Sequence, residues 1–136
     1  MHDLPRQLSV EELAALFSGR SAFIERLAQL DDPLVHAREV ARTLTPEEKF
    51  EALAAHPRIG ERSAEQRGEV PEELMELNRR YEEKFGFRFV VFVNRRSREE
   101  LVPVLRERLE RTREQELETG LEELVAIAED RWRSRS

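Results

Sequence analysis

Apolar residues recur along most of this chain at the three- and four-residue steps of an α-helix, and capping signals mark where each run begins. Ser9-Val10-Glu11-Glu12 is a capping box, with Leu8 and Leu13 placed as its hydrophobic staple, and the helix it opens is predicted to stop at Gly19. Phe23, Leu27 and Leu30 then repeat at helical spacing as far as Asp31-Asp32-Pro33. There Asp32 can cap a third helix that has Pro33 at its first position and Leu34, Val35, Val40, Ala41 and Leu44 on its inner side. Thr45-Pro46-Glu47-Glu48 repeats the capping logic for a helix whose Phe50, Leu53 and Ala54 face inward. It should end by His56, because Pro57 pushes its predecessor out of the α region.

From His56 to Val70 the apolar period disappears, and Gly60 and Gly68 punctuate a polar loop that can hold a short turn begun by Ser63. The helical stripe returns from Pro71 as Leu74, Leu77, Tyr81 and Phe85 and stops at Gly86. Phe87-Arg88-Phe89-Val90-Val91-Phe92-Val93 alone reads as a strand, yet nothing else in the sequence could pair with it. A buried extended segment packed by helices is the expectation. Ser97-Arg98-Glu99-Glu100 caps a helix carrying Leu101, Val102, Leu105 and Leu109, with a bend expected near Pro103, and Thr112-Arg113-Glu114-Gln115 starts a last one reaching about Arg133. The prediction is an all-α, single-domain helical bundle over residues 1–136 with one short buried extended segment at about 87–93.

Composition narrows the function classes. A chain of 136 residues can bury roughly two-thirds of its unfolded surface, and 39% apolar with 38% charged residues describes a core sheathed in charged helices. The net charge of -6 disfavours a grip on nucleic acid. Absence of cysteine removes disulfides, thiolate ligands and thiol nucleophiles together and suits a reducing compartment. No apolar run approaches the ~20 residues of a membrane helix, and the polar start at Met1 does not read as a signal peptide. The expectation is a soluble, cytoplasmic protein with no membrane or nucleic-acid partner.

Three histidines without cysteine and without an H-x-x-x-H pair give no metal site. His2 lies near a terminus and His36 within a helix with nothing reactive beside it, but His56 sits where an amphipathic helix breaks into a polar loop carrying Pro57, Arg58, Glu61, Glu65 and Gln66. That placement suits a catalytic group, although a helix-terminating histidine that bonds a carbonyl fits it too, and Glu65-Gln66 could be the first turn of a small helix. In the last helix Leu117, Leu121, Leu124 and Ala128 form the inner stripe. At about 100° per residue Arg131 lies about 60° from Ala128, nearly inward, whereas Arg133 is solvated. An inward guanidinium needs a partner, from the protein or from a ligand. Phe87, Phe89 and Val91 are core candidates by the same reasoning.

These residues also form an ordered pattern. Ala55-His56-Pro57-Arg58-Ile59-Gly60-Glu61, then Glu65-Gln66, Leu77-Asn78 with Tyr81, Lys84-Phe85-Gly86-Phe87, Phe89-Val90 and the helix ending in Arg131 resemble the 2-oxo-4-hydroxy-4-carboxy-5-ureidoimidazoline (OHCU) decarboxylases. The resemblance runs from the first helix nearly to the end of the chain. It implies an all-α homodimer that needs no cofactor, binds a small ureidoimidazoline acid, and completes urate degradation to (S)-allantoin. His56 is similar to the family's catalytic histidine and Glu65 to its acidic partner, while Pro57, Gln66, Phe89, Val91 and Arg131 match substrate-binding positions. Only eight residues separate His56 from Glu65, fewer than is usual in the family, which keeps Glu61 open as the acidic partner and leaves the role of Ser63 open. Arg95 stands where many members carry glycine. Two other readings remain at this point: a relative acting on a different ureido or purine-derived acid, and a helical adaptor without activity.

Overall fold

The computed structural model describes residues 4–56 and 72–134. Among them are seven helices and no strand: α1 (Val10–Phe17), α2 (Ala22–Leu27), α3 (Pro33–Thr43), α4 (Pro46–Ala54), α5 (Glu72–Phe85), α6 (Arg98–Leu109) and α7 (Arg113–Arg133). All four predicted capping boxes form, at Ser9, Thr45, Ser97 and Thr112, each with the cap side chain accepting from the N3 amide and the N3 side chain accepting from the cap amide. Two of the capping glutamates, Glu48 and Glu100, are held below the usual carboxyl range, first of all by the backbone N–H they accept. Long α7 packs against α1, α3 and α4, α2 lies against α1, α3 and α4, and α5 pairs with α6. Leu13, Phe23, Leu27, Leu34, Leu53, Leu74, Leu105 and Val125 are fully shielded between them, each worth about 1.5–3 kcal/mol of hydrophobic burial.

Several local readings change. Helix α1 does not reach a left-handed glycine; Ser18 itself takes that conformation at φ 69°. Gly19 is instead required by crowding, since a Cβ there would sit 2.9 Å from the Cβ of Ala55. Helix α2 closes early through tight bonds from Gln29 N–H to Arg26 O and from Leu30 N–H to Leu27 O, which turns Leu30 to the surface. Asp32 precedes Pro33 as expected, but its side chain makes no capping bond. It is left-handed at φ 52°, and the Val35 amide that its carboxylate would have served donates to its own carbonyl. Val35 is 58% exposed, because the buried face of α3 is Leu34, Ala37 and Ala41, and an adjacent residue points 100° away. In α4 it is Ala52 rather than Ala54 that is buried beside Leu53. Helix α6 runs through Pro103, which lies on its exposed side.

The run from Phe87 to Val93 is neither helical nor paired with a strand among the described residues, and side chains do the work of a ladder. Arg108 Nη1 donates to Val90 O at 2.7 Å, and Arg96 donates to Phe92 O at 2.7 Å and to Val93 O at 3.1 Å. Glu123 Oε1 accepts the Phe92 amide at 3.3 Å. Buried backbone groups must be paired, and here three arginine and glutamate side chains supply the partners. The segment is entered through Gly86, whose φ of 81° is the left-handed geometry glycine adopts without strain. Phe87 stacks on Phe50 and Phe85, and the Phe89 ring meets Tyr81 edge-on at 5.1 Å.

Candidate functional site

Helix α4 ends at Ala54, with Ala55 as its cap and His56 one residue further on. His56 is only 9% exposed, and its amide bonds to Leu53 O at 3.2 Å. Four contacts from other parts of the chain hold this end. The Glu51 carboxylate accepts the Ala22 amide at 2.9 Å, fixing α4 to the start of α2. Phe50 stacks on Phe87 at 5.8 Å. Arg88 Nη1 donates to both Ala54 O and His56 O, each at 2.8 Å. Finally, the α1–α2 turn lies directly on Ala55 at Gly19, so closely that no side chain would fit.

That same turn receives the predicted arginine. Arg131 is half-buried near the end of α7, and its Nη1 donates to Leu16 O at 2.9 Å and to Ser18 Oγ at 2.6 Å. Ser18 and Gly19 therefore touch, on one side, the guanidinium of Arg131 and, on the other, the residue preceding His56. Two groups 75 positions apart, from 56 to 131, are brought to neighbouring sides of one two-residue turn. Arg38 joins α3 to the same stretch of α7 by a two-bond pairing with Glu129 at 3.2 and 3.0 Å.

Phe89 and Val91 are both buried, Phe89 between Tyr81 and the Arg108 guanidinium, whose carbon lies 4.6 Å from the ring centre. Pro57, Glu65 and Gln66 lie outside the described residues, as do Glu61 and Ser63. Asn78, from the quoted pattern, is buried and donates to Glu82 at 3.3 Å. Among the described residues, Met75, Asn78, Arg79, Glu82 and Glu83 of α5 line a cleft of about 440 Å³, to which none of His56, Phe89, Val91 and Arg131 contributes.

Sequence reasoning missed a buried ionic cluster beneath the extended segment. Glu116 is 0% exposed; its Oε1 accepts from Tyr81 OH at 2.6 Å and from Arg108 Nε at 2.7 Å, and its Oε2 faces Arg111 Nη1 at 3.3 Å. Burial, and then the bond to Glu116, push the Tyr81 phenol well above its usual pKa, so it stays protonated as a donor. A signal was present: Arg108 falls three residues after Leu105 and seven after Leu101, on the buried face of α6. This cluster fixes the Val90 carbonyl and with it the course of the segment that carries Phe89 and Val91.

Comparison with known proteins places the chain as a whole. The "Uric acid degradation bifunctional protein PucL" of Bacillus subtilis is 25% identical over 135 residues, covering 88% of this chain and 27% of that protein. The "Uric acid degradation bifunctional protein" of Bacillus sp. (strain TB-90) is 29% identical over 105 residues, covering 66% of this chain and 21% of that protein. The "2-oxo-4-hydroxy-4-carboxy-5-ureidoimidazoline decarboxylase" of Haloferax volcanii is 31% identical over 104 residues, covering 65% of this chain and 62% of that protein. The chain thus spans less than two-thirds of the length of each of these relatives. A crystal structure of OHCU decarboxylase in the presence of (S)-allantoin superposes with a TM-score of 0.75 at 28% identity, over 88% of this chain and 94% of that one. That of (S)-allantoin synthase does so at 0.71 and 23% identity, over 92% of this chain and 48% of that one, a likeness of fold alone. With the family's own sequence model matching residues 3–133, a span that takes in all seven helices, the extended segment, His56 and Arg131, this chain belongs to the OHCU decarboxylase family.

Proposed function

We propose that this chain, acting as one domain over residues 1–136, decarboxylates 2-oxo-4-hydroxy-4-carboxy-5-ureidoimidazoline to (S)-allantoin without a cofactor. The observation that carries the reading is the Ser18-Gly19 turn, which seats the Arg131 guanidinium on one side and the end of α4, with His56, on the other. A histidine able to exchange protons and an arginine able to orient oxygens are the two groups this reaction asks for.

Loss of carbon dioxide breaks the bond between the carboxylate and the ring carbon that bears the hydroxyl, and leaves an electron pair on that carbon. The adjacent C=N unit of the substrate takes up the pair, giving an enol-like intermediate and a protonated ring nitrogen. The hydroxyl then gives up its proton as the carbonyl forms, and the ureido-bearing carbon receives a proton on one face only. In the proposal His56, oriented and kept basic by Glu65, takes the hydroxyl proton and assists the delivery, a placement typically worth 10²–10⁴-fold. Arg131 orients a substrate oxygen or carboxylate, for which its planar fork is better suited than an ammonium. Its Nη1 is pinned to the turn, so the plane of the guanidinium is set before substrate arrives. Gln66 and backbone groups near Val91 read the ureido and ring amides, Pro57 shapes the wall beside the imidazole, and Phe89 keeps water out. Homodimeric assembly and a cytoplasmic location belong to the same proposal; among the described residues no helix is long and apolar enough to cross a membrane.

Circular dichroism of allantoin formed from freshly generated substrate tests the reading. The purified protein should speed formation of the S form, and His56→Ala should return the slow, racemic course. Equal behaviour of the two proteins would remove His56 from the mechanism, and a racemic product with the wild type would end the assignment.

A further inference from the structure

We propose that Arg88 is a positioning residue for His56, locking the end of α4 to the extended segment so that the imidazole is presented at a fixed depth and angle; this rests on the reading of His56 as the proton-transfer group given above. The last carbonyls of any helix lack intrahelical partners. Here the chain continues into Pro57, which has no N–H with which to serve them. One nitrogen of Arg88 meets the need: the two hydrogens of Nη1 go to Ala54 O and His56 O, both at 2.8 Å. The second of these carbonyls belongs to the catalytic candidate itself. From its own helix the His56 backbone is held by the bond from its amide to Leu53 O.

A clamp transmits position only if its own base is fixed, and that of Arg88 is. Its neighbours Phe87 and Phe89 are both buried, the first stacked between Phe50 and Phe85 and the second against Tyr81 and Arg108. Val90, two residues on, is held by Arg108 through its carbonyl. The guanidinium therefore ties His56 to the segment that carries Phe89 and Val91, and the two sides of the site move as one body. Arginine is matched to the task because the span from segment to helix end is bridged by a long stem with a flat, multiply donating head.

Kinetics and the imidazole NMR signal test the idea in the full chain with Arg88→Met, which keeps the stem and deletes the donors, and Arg88→Lys, which keeps one donor nitrogen. Arg88→Met should lower kcat by up to about 10²-fold with KM little changed, since the loss is one of alignment and not of substrate contact. The enantiomeric excess of allantoin should fall with it. Arg88→Lys should recover most of kcat. The Hε1–Cε1 cross-peak of His56, one of three histidines and assigned by its loss in His56→Ala, should shift and broaden in Arg88→Met while that of His36 stays in place. An unmoved His56 cross-peak together with kcat within about twofold of wild type would overturn the proposal. Should Arg88→Met lose its helical circular dichroism, Arg88→Lys and Arg88→Gln decide by the same readouts. If the wild type makes no (S)-allantoin, the functional reading fails by itself, and the cross-peak still reports whether Arg88 sets the imidazole.

Discussion

Replacing Gly19 with alanine should strain the turn that joins the two halves of the proposed site. The added Cβ would lie 2.9 Å from Ala55 Cβ, closer than real Cβ contacts come, so something must shift, by about 0.5 Å if ordinary contact at 3.4 Å is to be restored. The obstructing atom is an alanine Cβ, which no rotamer can move, and the displacement passes into the backbone of the turn or of the α4 end. Gly19 has no left-handed φ, so conformational strain adds nothing. Overpacking of this kind costs about 1–3 kcal/mol, and loss of glycine freedom in the unfolded chain returns about 0.4–1, leaving a net destabilisation of about 1–2 kcal/mol. For a chain of this length that lowers Tm by about 3–8 °C. Half an ångström at the residue before His56 should cost about tenfold in kcat, given that a 1 Å misplacement can cost 10²-fold. Thermal melting and the allantoin dichroism assay measure the two effects. The double variant Gly19→Ala with Ala55→Gly removes the clash and should recover the rate. A single variant at least as stable and as fast as wild type, or a double variant that recovers nothing, would refute the reasoning.

Arg108→Met leaves the fully buried Glu116 carboxylate without its closest cation and should cost about 3–5 kcal/mol in urea unfolding, against a small loss if the cluster were superficial. The chain has one tyrosine, so tyrosinate absorbance near neutral to alkaline pH reports Tyr81 alone. Its folded pKa is raised, so the stability it contributes is complete below the ordinary value of 10.0 and fades as pH climbs above it; tyrosinate should appear with unfolding and not before, and a reversible titration of the folded protein near 10.0 would contradict the buried bond to Glu116. Arg95 is exposed and left-handed at φ 66°, so Arg95→Gly should stabilise by about 1 kcal/mol, seen as a rise in Tm.

Helix starts were the most legible feature, because a capping box is a local agreement between a hydroxyl and a side chain three residues on, and Ser9, Thr45, Ser97 and Thr112 all honour it. The unpaired character of Phe87–Val93 was legible by elimination. What could not be read depends on partners far away in the chain. Val35 is apolar and helical, and only the packing of α3 shows that its face looks outward. Neither Arg108 nor Glu116 figures in the reading of the sequence, because charge ordinarily means surface; each becomes tolerable in the interior only through the other. At the site, the inward lean of Arg131 followed from angle counting, while its engagement with Leu16 and Ser18, more than 110 residues away, did not. Nor did spacing foretell that Gly19, expected as a helix stop, would serve as the narrow gap against Ala55. Arg95 is a case where the resemblance and the backbone converge: glycine is common there in the family, and the φ of 66° supplies the physical cause.

The side-chain satisfaction of the extended segment has a consequence for how this protein survives in a crowded solution. Phe-Arg-Phe-Val-Val-Phe-Val is the stretch of this chain best suited to self-association into cross-β fibrils, rich in aromatic and β-branched residues and free of proline. With Arg108, Arg96 and Glu123 occupying main-chain groups along it, those groups offer no template to a second molecule. The three side chains that shape the course of the segment are thus also gatekeepers against aggregation. Variants that loosen them should reveal themselves by thioflavin-positive deposits at temperatures where the helices are still intact.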